Sequence, residues 1–96
     1  MNFLELNKIV ENYSSNSEGY KLFTLLDKYA EENKIVVVSI DNTATLSSSF
    51  LNSSIGEFLD KYGYDFFKTN VKIKTSKTQF NRLSNYLEKY NNLYSC

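Results

Sequence analysis

The sequence predicts an α/β domain in which a small central sheet is packed by amphipathic helices. Three observations carry this. Ile35-Val36-Val37-Val38-Ser39-Ile40 is a β-branched run of the kind that suits a strand. Apolar residues recur at helical spacing on both sides of that run. Farther along, Val71 and Ile73 alternate with Lys72 and Lys74, the pattern of a half-exposed strand. The predicted order is β-α-β-α-β-α, and its β-α-β connections are expected to be right-handed.

From the N-terminus, Met1 to Leu6 is apolar enough for a short strand. Ser14-Ser15-Asn16-Ser17 is a cluster that favours turns and caps, and Ser15 with Glu18 fits a capping box. Leu22, Phe23, Leu25, Leu26, Tyr29 and Ala30 then predict an amphipathic helix over Asn16 to Glu32, with Asn33 as its stop. The run from Ile35 to Ile40 is expected to be covered on both faces, because it does not alternate with polar residues. Asp41-Asn42-Thr43 reads as a turn. Phe50, Leu51, Ile55, Phe58, Leu59 and Tyr62 predict a helix from Leu46 to Tyr62, capped by Gly63. Thr69 to Thr75 is the third strand. Ser76 and Gln79 form a second capping box. Phe80, Leu83, Tyr86, Leu87 and Tyr90 give the last helix its apolar stripe.

Composition sets limits on function. The 96 residues suit one compact domain, and 42% hydrophobic with 16% aromatic content argues against disorder. Eleven basic and eleven acidic residues cancel, so bulk charge points to neither nucleic acid nor a membrane. Histidine is absent, which removes the commonest general base, the Ser-His nucleophile pair and the commonest transition-metal ligand. The one cysteine, Cys96, can make neither an intrachain disulfide nor a Cys-rich zinc site and reads as an incidental thiol. No apolar run is long enough to span a bilayer, and Glu5 interrupts the segment where a signal peptide would be apolar. A cytoplasmic location follows as an expectation. The abundance of Asn, Lys, Ser and Tyr suggests an AT-rich bacterial or phage genome. No glycine-rich phosphate loop is present, Glu31-Glu32 and Asp60 with Asp65 read as solvated helix ends, and no cofactor is expected. An enzyme is the class the residues favour least.

The stretch from Ile35 to Gly63 is the most informative. A buried strand ends in Ser39-Ile40-Asp41, a loop runs from Asn42 to Leu46, and Ser47-Ser48-Ser49-Phe50-Leu51 opens the next helix. This resembles the STAS domain of anti-sigma-factor antagonists, in which an Asp-Ser-Ser-Gly-Leu motif opens the helix after a central strand. Aligned without gaps, Ser47 falls on the motif aspartate, Ser48 on its phosphorylatable serine and Ser49 on the second serine. Phe50 falls on the glycine and Leu51 on the leucine. A divergent branch, the STAS-like domain of unknown function, is the closer resemblance. Its Ser-Phe-Leu is matched by Ser49-Phe50-Leu51, and its helix start by Asn16-Ser17-Glu18-Gly19-Tyr20-Lys21-Leu22. The likeness runs from about Ser15 to Tyr90.

The resemblance implies a non-enzymatic module that regulates by binding a protein partner, a kinase of the GHKL ATPase type. It implies Ser48 as the phosphoacceptor and a contact surface made of Asp41, Asn42, Ser47, Ser48, Ser49, Phe50 and Asn52. A phosphate at this helix start would meet unpaired backbone N–H groups and would disrupt an adjoining apolar contact. The residues also allow a plainer reading, in which the three serines serve as cap and first-turn hydroxyls and Asp41 forms a turn.

Two further classes stay open. One is a small phage or mobile-element inhibitor that occupies a host protein. The other is a nucleic-acid-binding module. Residues 1–48 carry four basic and seven acidic side chains, whereas residues 49–96 carry seven basic and four acidic. Lys68, Lys72, Lys74, Lys77 and Arg82 lie between Asp65 and Glu88 with no acid among them, and Tyr64, Phe66 and Phe67 stand just before. Basic groups near aromatics can hold single strands, although an acidic protein partner suits this stretch better. Tyr90 and Tyr94 are a candidate dimer or partner patch.

Overall fold

A computed structural model describes residues 2–41 and 45–94, with side chains as far as Lys89. Three strands form one sheet: β1 (Asn2–Glu5), β2 (Val36–Ser39) and β3 (Val71–Lys74). Their order is β1-β2-β3 and both pairings are parallel. Val36 stands beside Asn2 on one side and Val71 on the other, and Val38 beside Leu4 and Ile73. The small α/β architecture with helical crossovers is therefore as the sequence predicts.

A short turn of helix, α1 (Leu6–Ile9), follows β1 directly and takes Leu6 out of the predicted strand into the core. Helix α2 (Asn16–Glu31) begins where Ser15 accepts the Glu18 amide at 3.3 Å. The other half of the expected capping box is missing. Glu18 turns its carboxylate away from Ser15 to the Glu11 amide, at 2.6 Å, and to Lys21, at 2.8 Å. Asn12 fills the vacant role, its Oδ1 accepting the amides of Ser14 and Ser15 at 3.0 Å each. Asn33 ends the helix with φ of 54°. Its amide donates to Ala30 O at 2.9 Å and that of Lys34 to Tyr29 O at 3.0 Å, a Schellman pairing.

The second crossover departs from a single predicted helix. Helix α3 (Ser48–Leu51) runs into a π-helical turn at Asn52–Gly56 and then into α4 (Glu57–Tyr62). Ser53 and Ser54 donate their hydroxyls to the carbonyls of Ser49, at 2.8 Å, and Phe50, at 2.7 Å. Serine bonding back to the carbonyl four residues earlier bends helices, and here it accompanies the wider turn. Gly63 takes φ of 90°, a conformation costly for any residue with a Cβ, and separates α4 from an unpredicted helix, α5 (Tyr64–Asn70). The aromatic run 64–67 thus belongs to a helix. Last comes α6 (Lys77–Tyr94), where Ser76 accepts the Gln79 amide at 3.3 Å.

All the long helices share one face of the sheet. Both crossovers step in one direction, β1 to β2 to β3, and crossovers of the usual right hand then leave their helices on the same side. Helix α2 packs against α3, the π turn and α4. Leu83 of α6 joins the same core, and the Tyr86 hydroxyl donates to Asn52 Oδ1 at 2.7 Å. Leu6, Leu26, Phe50 and Phe58 are each at most 1% exposed. Each such side chain contributes about 1.5–3 kcal/mol of transfer free energy.

This arrangement corrects two expectations. Among the described residues, strand β2 is covered on one face only: Val36, Val38 and Ile40 are buried, Val37 and Ser39 are half-buried, and Ile35 is 40% exposed. Phe80, assigned to the apolar stripe of the last helix, is 50% exposed.

Candidate functional site

The carboxyl ends of the parallel strands gather the residues that matter. Strand β2 and the loop after it lead to α3, and the loop between α1 and α2 lies alongside. Ser47 joins them. Its amide donates to Tyr13 O and its hydroxyl to Ser14 O, both at 3.0 Å. The same oxygen accepts the Phe50 amide at 3.1 Å as the N-cap of α3. A cap of this kind stabilises a helix by about 1 kcal/mol, and aspartate or serine can supply it.

Phe50 is the second anchor. Its ring meets that of Tyr13 edge-on, with centroids 6.1 Å apart. At 1% exposure it belongs to the core and not to the contact surface expected from the sequence. Its side chain thus fills space beneath the helix. Gly19 provides the complementary accommodation on α2. A Cβ there would lie 2.5 Å from the Phe50 carbonyl oxygen and 2.9 Å from Ser53 Cβ. Nothing at Gly19 in the sequence marks this approach, because its partners stand more than thirty residues away.

Ser48, Ser49, Asn52 and Asp41 are exposed. Ser48 and Ser49 occupy the first turn of α3, beside the cap. Asn52 receives the Tyr86 hydroxyl. Asp41 follows Ile40, whose amide still donates to Lys74 O at 2.9 Å. Burial first, and then the charge of Asp41, push the Tyr13 hydroxyl above its ordinary pKa. Asn42 lies outside the described residues.

Glu18 holds the neighbouring loop. The amide of Glu11, and then Lys21, keep its carboxyl below the usual carboxylate range. It is 5% exposed and ties the loop to the first turn of α2. This is a positional role that its place in the capping box did not reveal.

The predicted basic stretch is divided among three elements. Lys68 is on α5, with its ammonium 5.6 Å from the Tyr64 ring centre. Lys72 and Lys74 are on β3, where Lys72 donates to Lys68 O at 2.8 Å. Lys77 and Arg82 are exposed on α6. The side chains of Tyr90 and Tyr94, and all of Cys96, lie outside the described residues.

Chemically, the head of α3 offers two exposed serines, Ser48 and Ser49, on a firmly anchored turn. Among the described residues, no group of three or more His, Cys, Asp or Glu side chains could hold a metal ion. No helix among them is long and apolar enough to cross a membrane.

No curated protein and no solved structure matches the chain. A family model described as the STAS-like domain of unknown function matches residues 18–79. That span opens at Glu18, contains β2, the anchored turn, α4, α5 and β3, and closes at Gln79 in the first turn of α6. With this match over the greater part of its length, the chain belongs to the family of STAS-like domains of unknown function.

Proposed function

We propose that this chain is a non-enzymatic regulatory module that binds a partner protein through the head of α3, with Ser48 as its switchable residue. The observation that carries the reading is the contrast within one turn. Ser47 and Phe50 are committed to holding the turn, while Ser48 and Ser49 between them are exposed. A hydroxyl so placed is open to a kinase. Its phosphate would lie at the start of a helical run, where backbone N–H groups and the helix dipole favour negative charge. The added charge of about −1.5 to −2 would change the partner-facing surface without disturbing the anchors beneath it. The partner class that the antagonist resemblance supplies is a GHKL-type ATPase.

Wild type and Ser48→Asp serve as parallel baits in a lysate of the source organism, with and without ATP. The expected result is an ATPase retained by the wild type, released on ATP addition, and held about tenfold less by Ser48→Asp. Mass spectrometry should then find phosphate on Ser48. Equal capture of one protein by both baits, indifferent to ATP, overturns the switch. That outcome would favour the host-protein inhibitor.

A further inference from the structure

The sheet has a second face, which no helix covers among the described residues. Parallel strands are ordinarily covered on both sides by helices, because each strand buries both sets of side chains. Among the described residues, the helices lie on one side. In the parallel register, Phe3, Val37 and Lys72 stand abreast on the other, as do Glu5, Ser39 and Lys74. Phe3 is 52% exposed and Ile35, two residues before Val37 on the same face, is 40% exposed. The Lys74 ammonium lies 5.9 Å from the centre of the Phe3 ring, so the two side chains reach across this face toward each other. The result is an apolar strip with lysines along its β3 side.

Charge decides what suits it. Glu5, the acid that the described strands place on this face, is paired with Lys8 at 3.1 Å, which leaves Lys72 and Lys74 in excess. The stretch from Lys68 to Arg82 adds no acid. A single exposed ring and two lysines beside an acid are a poor track for a nucleic-acid backbone, which needs a continuous basic groove and successive stacking rings. An apolar strip on a parallel sheet has the shape of a missing helical layer.

We propose that the uncovered face of the sheet is a docking surface for an amphipathic helix of a partner protein, its apolar stripe laid on Phe3, Ile35 and Val37 and its acidic flank on Lys72 and Lys74. This surface is separate from Ser48, and its use does not depend on the switch.

The probe is a synthetic amphipathic helix of about five turns, with a leucine stripe flanked by glutamates. Its counterpart carries lysine at each glutamate. Both are titrated into the isotopically labelled full chain, alongside oligothymidine, with sedimentation run in parallel. The acidic helix is expected to bind and to shift the amides of Phe3, Val37, Ser39 and Lys74. Phe3→Ser should weaken it about tenfold. Lys72→Glu with Lys74→Glu should transfer the preference to the basic helix. These three residues are exposed, so the variants should keep the wild-type circular dichroism and melting midpoint, and Ser48→Asp should bind the acidic helix as the wild type does. Equal binding of the two helices, or shifts confined to other faces, overturns the proposal. So does oligothymidine binding at this face with a steep salt dependence, or a self-dimer that Phe3→Ser dissolves.

Discussion

At Gly19, two effects of opposite sign meet in one methyl group. Alanine in a helix is favoured over glycine by about 1 kcal/mol. A Cβ at this position would press to 2.5 Å on the Phe50 carbonyl oxygen, which is backbone and cannot swing aside. Overpacking of that kind typically costs about 1–3 kcal/mol. The clash involves both Phe50 O and Ser53 Cβ, so the loss should win. Gly19→Ala is expected to lower the unfolding free energy by about 1–2 kcal/mol in urea. A more stable Gly19→Ala would mean that α2 and α3 can separate freely. Ser54 is a quieter case at the same contact. It is fully buried, and its hydroxyl is satisfied by the Phe50 carbonyl within its own helical run.

Between elements, Asp27 clamps α2 to α4. Its Oδ1 accepts from Lys61 Nζ at 2.7 Å and from the Tyr62 hydroxyl. Lys61 first, and then Tyr62, hold the Asp27 carboxyl below its ordinary pKa, against the effect of burial. A carboxyl whose pKa is depressed on folding contributes stability above its unfolded pKa of about 3.9 and loses it as pH falls through the folded value. The wild type should therefore lose stability below about pH 4 more steeply than Asp27→Asn. Thermal melts across that range would show it, and parallel curves would place the acid sensitivity elsewhere. The pair is partly solvated, so the difference is modest and salt should reduce it. Nothing local in the sequence announces this clamp, since its partners are 34 and 35 positions away.

For the molecule as a whole, β2 is the structural centre. It is the strand paired on both sides, and Val36 and Val38 are each 1% exposed. Its amides should exchange with solvent only through global unfolding, whereas the outward amides of β1 and β3 should exchange by local opening. Hydrogen exchange followed by residue would test this. Equal rates for β1 and β2 would mean that the sheet opens as a unit. The uncovered face leaves the centre protected, because the helical layer alone supplies the buried side of Val36, Val38 and Ile40.

What the sequence determined by itself is local in origin. The stops at Asn33 and Gly63, the caps at Ser15, Ser47 and Ser76, and the stripes of α2 and α4 each depend on residues within a few positions of one another. Short-range hydrogen bonding and side-chain periodicity are enough to specify them, and the α/β class follows from their order. The tertiary structure decided what depends on distant partners. An unbroken β-branched run looks the same whether one face is covered or two, so the exposure of Ile35 and the half-burial of Val37 could not be read from it. Phe50 beside exposed serines looks like part of a surface until Tyr13 and Gly19 close over it. Likewise, the separation of Lys68 from the lysines of β3 followed from a helix hidden in the aromatic run 64–67. Which face a side chain takes is fixed by the layer packed against it, and that layer comes from elsewhere in the chain.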